Sequence, residues 1–184
     1  MKRNATTALI TIICGFYLLQ LIDPALQEHL FLIKRAILSD GAIHGVATGE
    51  WYRLVTVALV HGGLTHLGFN MWALFVLGNP IERAFGRTKF LAVFFISLLA
   101  GSLASLAFVP ANQPSVGASG ALFGLFGAFA VTAKRIGADF RSIVVIIVIN
   151  FAIDFVLPNI DWHAHLGGLI GGAVAAKLLL RARV

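Results

Sequence analysis

The sequence predicts an all-α polytopic membrane protein with six transmembrane helices. Three observations lead there. The first is composition: of 184 residues, 59% are hydrophobic and only 12% are charged, with a mean hydropathy of +0.90. An average soluble domain is about 45–50% apolar and about 25% charged. Too little polar surface remains to coat a water-facing globule, which excludes a soluble enzyme, a disordered tail and a disulfide scaffold. The single cysteine, Cys14, has no partner for an internal disulfide and sits in an apolar run as packing. The second observation is six apolar segments close to the ~20 residues that cross ~30 Å of hydrocarbon. The third is the distribution of basic residues, which sorts the loops into two sides.

The first segment, 5–22, follows Lys2 and Arg3, and no small-residue cleavage pattern comes after it. It reads as a span that doubles as an uncleaved signal anchor. A connection over 23–52 follows. Within it, 26–38 mixes apolar residues with Glu28, Lys34 and Arg35, and reads as an interfacial helix. The remaining spans are 54–77, 90–109, 118–133, 142–157 and 164–180, and 1–184 forms one domain. With both termini in the cytoplasm, only Lys34, Arg35 and Arg53 of the 14 Lys and Arg fall outside. Trp51, Tyr52 and Trp162 then lie at the outer interface, where aromatic belts sit. The net charge of +6 is spread as short basic pairs between apolar runs, with no stripe for nucleic acid.

Polar residues inside apolar spans are costly and usually face a bundle interior or a water-filled cavity. Four stretches stand out. His61-Gly-Gly-Leu-Thr-His66-Leu-Gly-Phe-Asn70 enters the second span. His66 and Asn70 share one helix face, being about 40° apart, while His61 diverges from His66 by about 140° if both are helical. Gly117-Ala-Ser119-Gly120 opens the fourth span, after the uncharged, proline-broken loop 110–116. That loop reads as dipping into protein at membrane depth, with Ser119 at a helix N-terminus. His163-Ala-His165 precedes Gly168 and Gly172 in the sixth span. Asn150 and Asp154 lie four apart in the fifth.

The fourth and sixth spans run in the same direction. Each has a small-xxx-small pattern near its outer end, Gly120-x₃-Gly124 and Gly168-x₃-Gly172, which lets helix backbones approach closely. Ser119 lies one residue before its first glycine and His165 three before its own. The spacing can therefore place Ser119 beside His165; the alternative is that the glycines serve helix packing alone. A serine hydroxyl becomes a nucleophile when a neighbouring base takes its proton, and His165 is that base. Attack on a carbonyl develops an oxyanion. The Ser119 N–H, the His66 imidazole and the Asn70 amide are the candidate donors. Asp154 is a further candidate, as the acid of a triad or as a water-accessible acid.

These motifs, in order on spans two, four and six, resemble the rhomboid intramembrane serine proteases. The resemblance covers 50–172 and includes Trp51-Tyr52-Arg53 upstream of His66 and Gly78-x₃-Glu82-Arg83 downstream. It implies a compact six-helix bundle; small size and the absence of a transit-peptide pattern favour the minimal prokaryotic type in a bacterial inner membrane over an organelle, and the basic-residue topology opens the site to the outer side. It implies a catalytic dyad of Ser119 as nucleophile and His165 as base. It implies an oxyanion hole of His66, Asn70 and Ser119, with Gly117, Gly120 and Phe123 in support. No cofactor and no metal are implied, and a dyad leaves Asp154 without a catalytic role. The family often has Tyr where this chain has Phe123; the ring that stacks on His165 is kept and the phenol is lost. Tyr52 and Arg53 are implied for the lateral first loop and Glu82 for a hydrogen-bond network near the cytoplasmic side. The implied partners are the bilayer and single-span membrane-protein substrates, with the 158–162 loop as cap and the fifth span as gate.

Three other functions fit an apolar helical chain less well. A catalytically inactive rhomboid-like binding or escort factor typically lacks catalytic residues, whereas this chain keeps Ser119 and His165. A metalloprotein using His61, His66, His163 and His165 lacks the His-Glu-x-x-His signature. A transporter or channel needs ionisable groups along the whole membrane, and here they cluster on the outer side.

Overall fold

The computed structural model describes residues 4–137, 139–156 and 160–179, apart from the side chains of Ile136, Asp154 and Phe155. The chain forms helices α1 (Ala5–Ile22), α2 (Ala25–Leu30), α3 (Arg53–Thr56), α4 (Leu64–Phe85), α5 (Arg87–Phe108), α6 (Ser119–Ile136), α7 (Phe140–Val156) and α8 (Trp162–Leu179). A two-residue antiparallel hairpin, β1 (Ala36–Ile37) with β2 (Ile43–His44), interrupts the first connection.

By length and composition, α1 and α5 are each long and apolar enough to cross a membrane, with hydropathies of 1.9 and 2.2. A third span results if α4 and the short helical run before it are taken as one. The glycines of α6 and α8, with Lys134, Arg135 and Lys177 in their last turns, dilute the hydropathy of two further segments read as spans. The described residues thus form a largely helical protein with several apolar helices.

Two sequence expectations need correction. The segment 54–77 is not one helix. Arg53–Leu59 and Leu64–Phe85 meet at 100°: the first run ends at the extended β-branched Val60, and Gly63, with φ +156°, precedes the new helix. The helix then continues past 77, through Pro80 and Glu82, to Phe85. The predicted interfacial helix over 26–38 is confined to Ala25–Leu30. Beyond it, Leu32 exchanges backbone hydrogen bonds with Ser115 at 3.0 and 2.8 Å, and the chain turns at Gly41, whose φ is +79°.

The elements that position the site form two sets. At one end, Asn4 caps α1 by accepting from the Thr7 N–H at 2.8 Å. There Glu82 of α4 accepts from the Ala5 N–H at 2.6 Å, and from the Thr6 N–H and hydroxyl at 2.8 Å each. The carboxylate satisfies the free donors at a helix start and complements its dipole. This is the hydrogen-bonded position the resemblance implies for Glu82.

At the other end, α5, α6 and α8 pack around glycines. A side chain on Gly168 would overlap the Gly120 carbonyl, and one on Gly172 would overlap Gly124. The paired small-xxx-small faces therefore meet as the spacing predicts. Ala121, Leu125 and Ala128 of α6 are fully buried behind them.

Candidate active site

Ser119 is the first residue of α6, and its helix begins there for a local reason. Gly117 has φ +110°, a conformation that favours glycine, and its N–H donates to the Val57 carbonyl at 2.9 Å. The Leu32–Ser115 pair and an Arg35 N–H to Ala111 carbonyl bond at 2.9 Å tie the loop before α6 to the first connection; contrary to the sequence expectation, 110–114 are exposed, and only Gly117 and Ala118 at its end are buried. The first N–H groups of α6 have no acceptor within the helix, so they converge beside the Ser119 hydroxyl.

His165 enters from α8, which Asp161 starts by accepting from the Ala164 N–H at 3.1 Å. His165 is one turn in. Its Nε2 lies 2.8 Å from Ser119 Oγ. Its ring stacks on Phe123 with centroids 4.1 Å apart and planes 9° from parallel. His165 is buried and Ser119 half-buried. Phe123 in turn meets Phe151 of α7 edge-on at 5.0 Å. The phenylalanine that replaces the family's frequent tyrosine thus keeps the ring contact.

His66 and Asn70 lie on one face of α4, as their spacing predicts. The His66 ring covers Gly117, and a Cβ at that glycine would come within 2.7 Å of His66 Cε1 and 2.9 Å of Nε2. His66 Nδ1 accepts from the Gly62 N–H at 3.4 Å, which leaves Nε2 carrying the hydrogen on the Gly117 side. Asn70 is buried and donates one Nδ2 hydrogen to the His66 carbonyl at 2.9 Å. Gly120 lies against Gly101 and the Ala164 carbonyl, so its missing side chain lets α5, α6 and α8 converge under the serine.

Not every polar residue singled out in the sequence joins this group. His163 stacks on Trp162 at 3.8 Å and on Phe108 at 5.8 Å, away from the dyad pairing. Asn150 donates to the Ile146 carbonyl of its own helix at 2.8 Å. The side chain of Asp154 lies outside the described residues, as do 157–159 of the loop expected to cap the site.

Two polar clusters escape the sequence reading. Gln20 of α1 holds the His61 backbone, donating to its carbonyl at 2.7 Å and accepting from its N–H at 3.1 Å. A lone amide in an apolar run was the available signal. In the first loop, Arg53 is fully buried and donates to Glu50 at 2.7 Å and to the Glu28 and Phe31 carbonyls at 2.7 and 2.9 Å. Glu50 also accepts from His44, whose other ring nitrogen lies 2.9 Å from Asp40. Burial alone would push the Glu50 carboxyl up, but the bonds from His44, Arg53 and the Gly45 N–H outweigh it and hold it at about 2.

A family model described as the rhomboid domain matches residues 48–182. The chain belongs to the rhomboid family. It is 43% identical over 142 residues to the rhomboid protease GluP of Bacillus subtilis, covering 73% of this chain and 27% of GluP. It is 38% identical over 143 residues to the rhomboid protein YdcA of the same organism, covering 74% of this chain and 71% of that one. RHOMBOID-like protein 5 of Arabidopsis thaliana is 39% identical over 143 residues, 73% of this chain and 46% of its own length. The chain therefore spans about a quarter of GluP and under half of the plant relative. Family and apolar helices together make it an integral membrane protein.

Proposed function

We propose that this rhomboid is an intramembrane serine endopeptidase that hydrolyses peptide bonds in or near transmembrane segments through an acyl-enzyme. The observation that carries the reading is the 2.8 Å contact between Ser119 Oγ and His165 Nε2, on a ring held flat against Phe123. Neutral His165 takes the hydroxyl proton as Ser119 Oγ attacks the scissile carbonyl. The oxyanion that forms is met by the Ser119 N–H, His66 Nε2–H and the free Nδ2 hydrogen of Asn70. His165 then gives its proton to the leaving amine. A water molecule, deprotonated by the same ring, releases the acyl group from Ser119. The chemistry proposed needs no metal or cofactor.

The topology proposed with it has six spans, both termini in the cytoplasm and the site opening to the outer side of a bacterial inner membrane. That is the orientation the basic residues favour. Substrates are single-span membrane proteins cut near the outer end of their helix. Such a helix shields its own peptide bonds, so glycine, proline or β-branched residues that weaken it favour cleavage. The helix α7, beside the dyad, acts as the gate.

The relative GluP is named a rhomboid protease, and this chain keeps Ser119 and His165; both favour this reading over an inactive escort factor, which needs neither the serine nor its base. The test is a gel assay in detergent with a generic transmembrane substrate. Wild type is expected to cleave, with Ser119→Ala and His165→Ala at background. Cleavage by Ser119→Ala at the wild-type rate refutes the mechanism. Capture of the uncut substrate by wild type, with no cleavage, supports the escort reading.

A further inference from the structure

His61 lies in the break before α4 and is fully buried. Among the described residues neither of its ring nitrogens has a hydrogen-bond partner. A buried imidazole left unpaired is costly, and such groups are rare in folded proteins. An apolar side chain would fill the space without that cost. The Gln20 clamp on its backbone N–H and carbonyl fixes where the ring sits.

The ring sits against two members of the proposed anion-stabilising set. Its edge meets the His66 ring, with centroids 5.1 Å apart and planes at 62°. Two polar groups approach it as well, the Asn70 side chain and the Leu59 backbone carbonyl, neither in hydrogen-bonding geometry. Asn70 has the complementary deficit: Nδ2 donates to the His66 carbonyl, while Oδ1 is buried with no donor among the described residues. The His61 N–H makes no hydrogen bond of good geometry and the Asn70 carbonyl oxygen has no donor; of the two acceptors near the ring, Asn70 Oδ1 is the one left unsatisfied. Each satisfies the other after a small rotation or across one bound water.

We infer that His61 is a positioning residue whose ring N–H holds Asn70 Oδ1 and so aims the second Nδ2 hydrogen at the substrate oxyanion. Asn70 then has its full complement: Oδ1 accepting from His61, one hydrogen on the His66 carbonyl, one for the transition state. Without His61 the amide loses its fixed orientation, and a rotated amide turns an acceptor oxygen toward developing negative charge. The interaction matters when the oxyanion forms, so its loss falls on kcat and spares KM. This inference rests on the proposed serine-protease reading.

The test is a double-mutant cycle on the full chain in detergent. His61→Phe keeps a ring of similar size without a donor. It is expected to lower kcat about ten- to a hundredfold, a part of the roughly 10²–10³ that one oxyanion donor supplies, with KM within twofold. His61→Gln, which restores a donor, recovers much of that loss. In an Asn70→Ala background, His61→Phe has no further effect on kcat. An unchanged kcat in His61→Phe, or the same fold-loss on top of Asn70→Ala, overturns the inference. If His61→Phe fails to fold, ring-¹⁵N-labelled histidine decides: Asn70→Ala is expected to move the His61 ring-nitrogen resonances, and no movement overturns the inference. Failure of the underlying reading has a different signature, wild-type turnover insensitive to Ser119→Ala.

Discussion

The two helices that flank α6 on the dyad side are held to it in opposite ways. α8 meets α6 through backbone, with Gly168 against Gly120 and Gly172 against Gly124. α7 meets it through side chains, reaching the dyad region with Phe151 against Phe123. Much of the rest of α7 faces outward, with Val145, Val148 and Ile149 more than half exposed. Backbone-to-backbone packing has no rotamers to relax and tolerates no added atom. Side-chain packing on an open face can part and re-form. The Ser119–His165 distance is therefore set by the rigid seam, and the helix proposed as gate is the one whose displacement leaves that seam intact.

The largest expected effect breaks the seam. Gly168→Leu drives a side chain into the Gly120 carbonyl and costs about 1–3 kcal/mol or more of stability. Turnover of a transmembrane substrate falls to background. On α7, Ile149→Ala is expected to leave melting within about 0.5 kcal/mol and turnover near wild type. Melting and turnover in the same detergent check both, and equal sensitivity of the two helices would remove the contrast.

Next in size is Asn70→Ala, expected to lower kcat by about 10²–10³ without moving the seam. Smaller still is Phe123→Leu, which removes the ring from His165. Aromatic pairs contribute about 0.5–1.5 kcal/mol, so kcat should fall roughly two- to tenfold, measured with melting as a control for folding. A crosslink between α7 and α4 sharpens the contrast differently. Hydrolysis of a transmembrane substrate should drop while reaction of Ser119 with a small fluorophosphonate persists. Loss of both, or of neither, contradicts gating by α7.

The smallest effect lies in the first loop, far from the seam. His44 is held above its ordinary pKa of 6.5 by hydrogen bonds to Glu50 and Asp40. Its stabilisation is complete below pH 6.5 and is lost as pH rises through the raised value. Glu50, held at about 2, contributes above 4.5 and loses that contribution as pH falls toward 2. Melting temperature should therefore decline on both sides of a mildly acidic optimum. His44→Gln should flatten the alkaline side and, by removing one of the bonds that hold Glu50 down, weaken the acid side as well.

The parts of this architecture that follow repeating patterns were legible in sequence. Gly120, Gly124, Gly168 and Gly172 recur at four-residue spacing, and that spacing sets Ser119 beside His165. His66 and Asn70 lie on one face for the same reason. What hid was set by tertiary contacts. The helix break before Leu64 is masked by apolar residues on both sides, and the place of Glu82 inside α4 shows only through its long-range bonds to the start of α1. The chain at 31–37 is apolar and charged like an interfacial helix, yet pairs with Ser115, more than 70 residues on. Gln20 and His61 gain their meaning only from each other.

The most direct measurement is mass spectrometry of the detergent-purified protein after reaction with a fluorophosphonate. If His165 activates Ser119, one adduct forms, on Ser119, at a rate that collapses in His165→Ala. An adduct on another residue, or labelling of Ser119 that is as fast without the imidazole, contradicts it.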